Sequence, residues 1–290
     1  LWSVESKVKR LNNYQAKIKV KPKKLNDIDK HDLKDMFSNV YKLPKINLIK
    51  PTSNNSFALR ITDSHIGSSV FKEYSMYQMV EKAKLDIVNG GFETVYIDFL
   101  GDILHVDNVN KTTDRGTQLE MPMTAYDMIR KAQEVITYTI NELSLTDTEI
   151  RWTQGNHSRL TEWLFFRLIE ESFSNNKHIK FMVDESRRKG YLIYNTFCGL
   201  FHGDMPKKNY YDVFHFEFSS LWGQANKWEL HSGHFHSLTQ TTKGGMLHTI
   251  HGIDKDTDTY EDSLGYMNMY NKVEAVIYNK ELGRVETKLY

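Results

Sequence analysis

Cysteine is nearly absent from this chain. Cys198 is the only thiol in 290 residues, so no disulfide can form within it. The apolar setting "YNTFCGLF" marks that thiol as a buried structural residue rather than a nucleophile. Long apolar runs are missing too. Nothing approaches the ~20 residues a membrane helix needs, and the opening stretch "LWSVESKVKRLNNYQ" has no apolar centre of the kind a secretory signal carries. The expectation is a soluble, cytoplasmic protein with no membrane partner. Internal repeats and low-complexity tracts are lacking as well. What is present is 40% hydrophobic and 12% aromatic residues, enough to build a folded core. The first residue is not methionine, which leaves room for an upstream segment.

Net charge is only +1, but it is unevenly spread. The first 50 residues hold 13 Lys and Arg against 5 Asp and Glu, leaving 25 against 32 for the other 240. A basic segment joined to an acidic body suits an arm that meets nucleic acid or another acidic partner, including an upstream domain. A solvated lysine face explains the same numbers.

In "YQAKIKVKP", Ile18 and Val20 alternate with Lys17, Lys19 and Lys21 as in an edge strand, and Leu33, Met36, Phe37 and Val40 recur at helical spacing. "KLPKINLIKPTSNN" reads as a linker, which puts a boundary after residue 55: a short basic N-terminal extension over 1–55 and one domain over 56–290. In that domain "FALRIT" and "TVYIDFL" are candidate strands separated by a helix over 71–89 that Gly90 and Gly91 stop. A long helix over 120–143 and a strand "EIRWTQ" follow. Ser158 is placed to cap a helix reaching about residue 173, with Leu160, Trp163, Leu164, Leu168 and Ile169 as its apolar stripe. Beyond it the chain turns β-rich through "YLIYNTFCGLFH", "WELHSGHFH", a hairpin around Lys243, Gly244 and Gly245, and "KVEAVIYN". The order predicts an α/β fold with a core sheet and a second, more antiparallel sheet.

Polar residues gather immediately after the strand candidates. "LRITDSH" ends in Asp63 and His65; "VYIDFLGD" ends in Asp102, with His105 beyond; "IRWTQGNH" ends in Asn156 and His157; "GLFHGD" carries His202; "LHSGHFH" carries His234 and His236. Sites of open α/β sheets form at such carboxyl ends. Asp63, His65, Asp102, Asn156, His202, His234 and His236 make a complete donor set for two divalent metals, and five of the seven are imidazole or amide donors. That balance favours Mn, Fe or Zn over Mg or Ca. Asp102, central in the series and beside Gly101, is the natural bridging carboxylate. His234 and His236 are two apart, so an extended segment would put both on one side. His231 lacks such a pattern and reads as structural.

The ordered motifs "DSH", "GD", "GNH", "FHG" and "GHFH" across residues 57–236 resemble the calcineurin-like metallophosphoesterases. The resemblance implies a four-layer sandwich, two central mixed β-sheets flanked by helices. It implies Asp63, His65, Asp102 and His236 around one metal and Asp102, Asn156, His202 and His234 around the other. His157 then matches the histidine near the leaving group. "GDILH", with His105, and the loop "HVDNVNKTTDRGT" resemble the branch of double-strand-break repair nucleases and phage exonuclease-like proteins. That branch implies manganese, a DNA substrate and homodimers, with the host cytoplasm as location for a phage protein. The family carries an acid after G-N-H, where this chain has Ser158.

Two divalent ions about 3.5–4 Å apart acidify a bridging water and hold phosphate oxygens, so the expected nucleophile is a bridging hydroxide rather than a side chain. His157 would serve the leaving oxygen, a job suited to imidazole, and His105 would help fix the phosphate. Lys111 and Arg115 in the loop would neutralise backbone phosphates. These residues together point to a binuclear phosphodiesterase acting on DNA. A phosphatase, a cyclic-nucleotide phosphodiesterase, or a binding scaffold with a vestigial site remain alternatives.

Overall fold

A computed structural model describes residues 46–204, 209–252 and 272–290, all within one compact unit, Leu43–Tyr290. The strand and helix expected before residue 41 lie outside the described residues. Eleven strands build two mixed sheets among the described residues. The first has the order β11-β10-β1-β2-β3-β4, from β1 (Asn55–Ile61), β2 (Thr94–Phe99), β3 (Asp147–Trp152), β4 (Ile179–Met182), β10 (Glu274–Asn279) and β11 (Gly283–Leu289). Strands β1 to β4 run parallel, and β10 and β11 close the other edge antiparallel. The second has the order β5-β6-β7-β9-β8, from β5 (Arg188–Ile193), β6 (Thr196–Phe201), β7 (Lys227–Ser232), β8 (Thr239–Lys243) and β9 (Met246–Ile250). Its centre, β6, β7 and β9, is parallel, and both its edges are antiparallel hairpins.

Period-two alternation sorts each strand's side chains between layers. Phe57, Leu59 and Ile61 of β1 and Val95, Ile97 and Phe99 of β2 face a large apolar core, where α1 (Glu73–Gly90), α2 (Ala125–Leu143) and α3 (Arg159–Ser172) contribute Val80, Ala83, Val135, Ile136, Phe166 and Ile169. The opposite faces, Ala58, Tyr96 and Tyr278, meet Tyr191, Cys198 and Leu200 of the second sheet. Phe197, Phe201 and Leu230 on its outer face pack on α4 (Tyr210–Glu217) and the short α5 (Ser219–Trp222) through Phe214 and Trp222. The result is an α/β sandwich of four layers, two mixed sheets flanked by helices.

The layer between the sheets is rich in polar groups. Arg60 is fully buried 2.5 Å from Asp98, whose Oδ2 accepts the Tyr191 hydroxyl, and the Arg151 guanidinium lies 3.5 Å from the Tyr191 ring centre. Buried charges persist only when paired in this way. His231 belongs to the same layer: its Nδ1 lies 3.0 Å from His251 Nε2, and burial together with Arg60 pushes its pKa well below the usual histidine value. It is a structural histidine.

Several boundaries differ from those expected of the sequence. The long helix starts at Ala125 rather than residue 120, because the Thr124 side chain accepts the Asp127 N–H and caps it there. Ile46 and Ile49 of the expected linker pack against the large core, and Ile49 N–H bonds Leu145 O. The apolar stripe assigned to α3 holds only in part: Ile169 is buried and Trp163 packs against the large core. Leu160, Leu164 and Leu168 are exposed, whereas Glu162, Phe165, Phe166 and Ile169 are buried. A charged residue, Glu162, sits on the inward side of this helix and three leucines face out, which is why the hydropathy pattern misses part of the buried face.

Candidate metal centre

Every proposed ligand leaves a strand at its carboxyl end, and the parallel strands of both sheets bring those ends together. The loops are then zipped by main-chain bonds: Asp63 N to Gly101 O, His65 N to Asp102 O, and Gly233 N to His202 O, at 2.7–3.1 Å. Such proximity needs glycine. A Cβ on Gly155 would lie 1.9 Å from Asp102 Oδ1, and one on Gly233 would lie 2.3 Å from Asp63 Oδ2.

Backbone conformation points at the same residues. Seven non-glycine residues among those described have positive φ, and Asp63, His65, Asp102, His234 and His236 are five of them. A left-handed conformation costs an ordinary residue about 1–3 kcal/mol, so its concentration in one place marks a site the rest of the fold holds in shape. The "GHFH" segment is therefore not extended, contrary to the expectation. It lies beyond the end of β7, and His234 and His236 are aimed by left-handed turns rather than by strand alternation.

The side chains converge in three sets. Asp63, His65 and His236 place their donor atoms within 4.8 Å of one another, as do Asp102, His202 and His234, and as do His65, His105 and His157. Asn156 joins the second set through Oδ1, 3.0 Å from His202 Nε2. The first two sets are linked by His202, whose Nε2 lies 3.0 Å from Asp102 Oδ2 and 3.9 Å from Asp63 Oδ1.

Each carboxylate is split between two tasks. Asp63 Oδ2 accepts from Thr62 Oγ1 at 2.5 Å and from His234 N at 2.8 Å, while its buried Oδ1 faces His236 Nε2 at 3.3 Å. Asp102 Oδ1 accepts the N–H groups of Asn156 and His157 at 2.7 and 2.8 Å, while Oδ2 is turned to His202. One oxygen of each is anchored and the other is presented. His202 is oriented in the same manner, its Nδ1 held 2.8 Å from Leu100 O so that Nε2 faces the carboxylates.

This donor set fits divalent cations. His65 Nε2 and His236 Nε2 stand 3.4 Å apart, about the edge of a tetrahedron whose metal–nitrogen bonds are about 2.1 Å. The electrostatics demand positive charge at the same place. Burial raises the pKa of both aspartates, yet His202, with His236 for Asp63 and His157 for Asp102, holds them below the usual carboxylate value. Burial works against a proton on His202, but Asp102 and Asp63 raise its pKa to about 10. His234 moves the other way, lowered by burial and by His202. Without a cation the cluster keeps a proton to balance two buried carboxylates, and a divalent ion can take that proton's role.

The other candidate residues divide. His157 and His105 stand together on the His65 side, with ring centres 4.5 and 5.5 Å from His65, and His157 Nδ1 is 3.1 Å from His105 O. His105 Nε2 is engaged by Glu120 O at 3.1 Å. Lys111 does not reach outward: its ammonium donates to Met121 O at 2.8 Å, whereas Arg115 is exposed. Arg159 pairs with Asp114 and Asp204, both at 3.2 Å, which gives Asp204 a structural partner. Ser158 makes no side-chain cap; its hydroxyl goes to Leu104 O and Glu162 instead. Glu162 is the residue that sequence reasoning missed. The available signal was an acid on the helix side otherwise formed by Phe165, Phe166 and Ile169.

No family model and no curated protein matches the chain. Solved structures similar to it include a predicted phosphoesterase from Streptococcus pneumoniae (13% identity, covering 81% of this chain and 97% of that chain, TM-score 0.32). An archaeal phosphodiesterase (12%, 81% and 99%, TM-score 0.40) and vacuolar protein sorting 29 from Cryptosporidium parvum (12%, 81% and 97%, TM-score 0.41) are also similar. Likeness at this level says nothing of substrate or chemistry. No helix of the described residues is long and apolar enough to cross a membrane.

Proposed function

We propose that the protein is a metal-dependent phosphodiesterase that cleaves the backbone of DNA. The observation that carries this reading is the pair of three-residue donor sets lying side by side and joined through His202. Divalent cations held there would supply Lewis acidity, acidifying water and drawing phosphate oxygens. The protein's own groups account for the rest. Asp63, His65 and His236 would hold one ion, and Asp102, Asn156, His202 and His234 the other, with Asp102 as the candidate carboxylate to be shared between them. The His157 ring is fixed through Nδ1, so its Nε2 is the atom able to carry a proton to a departing oxygen. His105 Nε2 lies 3.1 Å from the Glu120 carbonyl, which fixes its ring beside His65 and His157.

The choice of DNA is supported by "GDILH" and by the excess of lysine and arginine in the first 50 residues. The test is purified protein with manganese and end-labelled single- and double-stranded DNA, beside a chelator control and Asp102→Asn. Cleavage should require metal, weaken steeply with salt, and fall by at least about a thousandfold in Asp102→Asn. DNA left intact while a phosphate monoester is hydrolysed would overturn the nuclease reading and keep the metal site.

A further inference from the structure

Glu162 lies on the first turn of α3, is 1% exposed, and touches three chain segments at once. Its Oε1 accepts the indole N–H of Trp152 at 2.6 Å, at the end of β3. Its Oε2 accepts the Leu104 N–H at 3.0 Å, in the loop after β2, and lies 2.7 Å from Ser158 Oγ, at the start of its own helix. Ser158 Oγ in turn lies 3.0 Å from Leu104 O. Leu104 is the residue before His105, and Ser158 is the residue after His157. One carboxyl group therefore holds the main chain just before His105 and the side chain just after His157, the two histidines that flank His65.

We propose that Glu162 is a positioning residue that sets the separation of His105 and His157, one helical turn beyond the place where the resembling family carries an acid. The inference rests on the phosphodiesterase reading for its catalytic consequence, but its geometry does not. A carboxyl group is what this position requires, because in either protonation state both of its oxygens can accept an N–H, whereas an amide nitrogen cannot. Two fixed N–H donors, from Trp152 and Leu104, approach opposite oxygens, and both need an acceptor. A glutamine has the same size but one acceptor oxygen, so its NH2 group must oppose either the indole or the Leu104 N–H. The mismatch shifts the loop holding His105 relative to the turn holding His157, whose rings stand 5.9 Å apart. Burial, then the nearby charge of Asp102, raises the Glu162 pKa to about 7, as expected for a carboxylate enclosed by protein.

The experiment compares the full chain with Glu162→Gln, Trp152→Phe and the double variant. In metal-free protein labelled with 15N-histidine, the ring resonances of His105 and His157 should move in Glu162→Gln while those of His202 and His234 stay in place. With manganese and bis(p-nitrophenyl) phosphate, kcat should fall about 10- to 100-fold, with KM and manganese affinity within about twofold of wild type. Trp152→Phe removes one of the two competing donors. The double variant should then return to within about threefold of Trp152→Phe alone, a rescue that a purely structural role does not give. Unmoved His105 and His157 resonances, or a kcat loss that tracks a loss of manganese affinity, would overturn the proposal. If wild-type protein cleaves no phosphodiester, the functional reading fails, and the histidine spectra alone decide whether Glu162 positions the pair.

Discussion

Replacing Gly155 with alanine places a methyl group at one of the tightest contacts in the site. Its Cβ would lie 1.9 Å from Asp102 Oδ1 and 2.4 Å from Asp102 N, so a side-chain rotation alone cannot clear it. Relief requires the two loops to part, and parting them breaks the bonds from Asn156 N and His157 N to Asp102 Oδ1, now 2.7 and 2.8 Å. Hydrogen bonds to a charged group contribute about 1.5–3 kcal/mol each, so with partial relaxation the expected loss is about 3–5 kcal/mol. Gly116 provides the comparison within the same protein. It has φ +85° and nothing within 4 Å of a built Cβ, so Gly116→Ala costs only the left-handed conformation, about 1–2 kcal/mol. Urea unfolding of both variants in chelator, followed by manganese titration of the folded proteins, reads the two effects. Gly155→Ala should be the less stable and should bind manganese more weakly, while Gly116→Ala binds as wild type. Equal stabilities, or unchanged manganese binding in Gly155→Ala, would refute the close approach of the "GD" and "GNH" loops.

Three further outcomes follow from burial and charge. On α3, Leu164→Glu should change stability by less than about 0.5 kcal/mol and Ile169→Ala should cost about 2–5 kcal/mol, because Leu164 is 48% exposed and Ile169 2%; a cost of several kcal/mol for Leu164→Glu in urea melts would return Leu164 to the buried face. Cys198 is buried and its thiol is pushed up to about 12 by burial and Glu229, so a thiol reagent at pH 8 should modify it only at the rate of unfolding; rapid modification of native protein would contradict the packing between the sheets. Glu162 is raised from 4.5 to about 7, so the folded state favours its protonated form, and its contribution to stability is complete below pH 4.5 and lost as pH rises through 7. Between pH 5 and 8 metal-free wild type should lose about 2–3 kcal/mol more than Glu162→Gln, and parallel pH profiles would show that the carboxyl is not held in this environment.

The donor residues are legible in the sequence because their placement follows from local chemistry. Strands that end in Gly-Asp and Gly-Asn-His must turn where they end, and with the other three strand ends they carry the candidate ligands to the carboxyl edges of the parallel strands. The hairpin at Gly244 and Gly245 and the helix stop at Gly91 are legible for the same reason, since positive φ at a turn selects glycine. Hydropathy misleads where charge goes inward. Arg60, Asp98, Arg151 and Glu162 are buried because each finds a partner on another strand or loop; the Glu162 bond to Leu104 spans 58 residues.

The amino-acid order by itself determined which side chains could ligate metals, the strand ends that carry them, and the inert setting of the one thiol. The tertiary structure alone decided how those candidate ligands sort into two adjoining sets, which further residues of α3 face inward, and that Glu162 bonds the Leu104 N–H beside His105 and the Ser158 hydroxyl beside His157. The division has a physical cause: a turn is dictated by neighbours in the chain, whereas a buried charge is tolerated only through contacts that exist once distant segments have met.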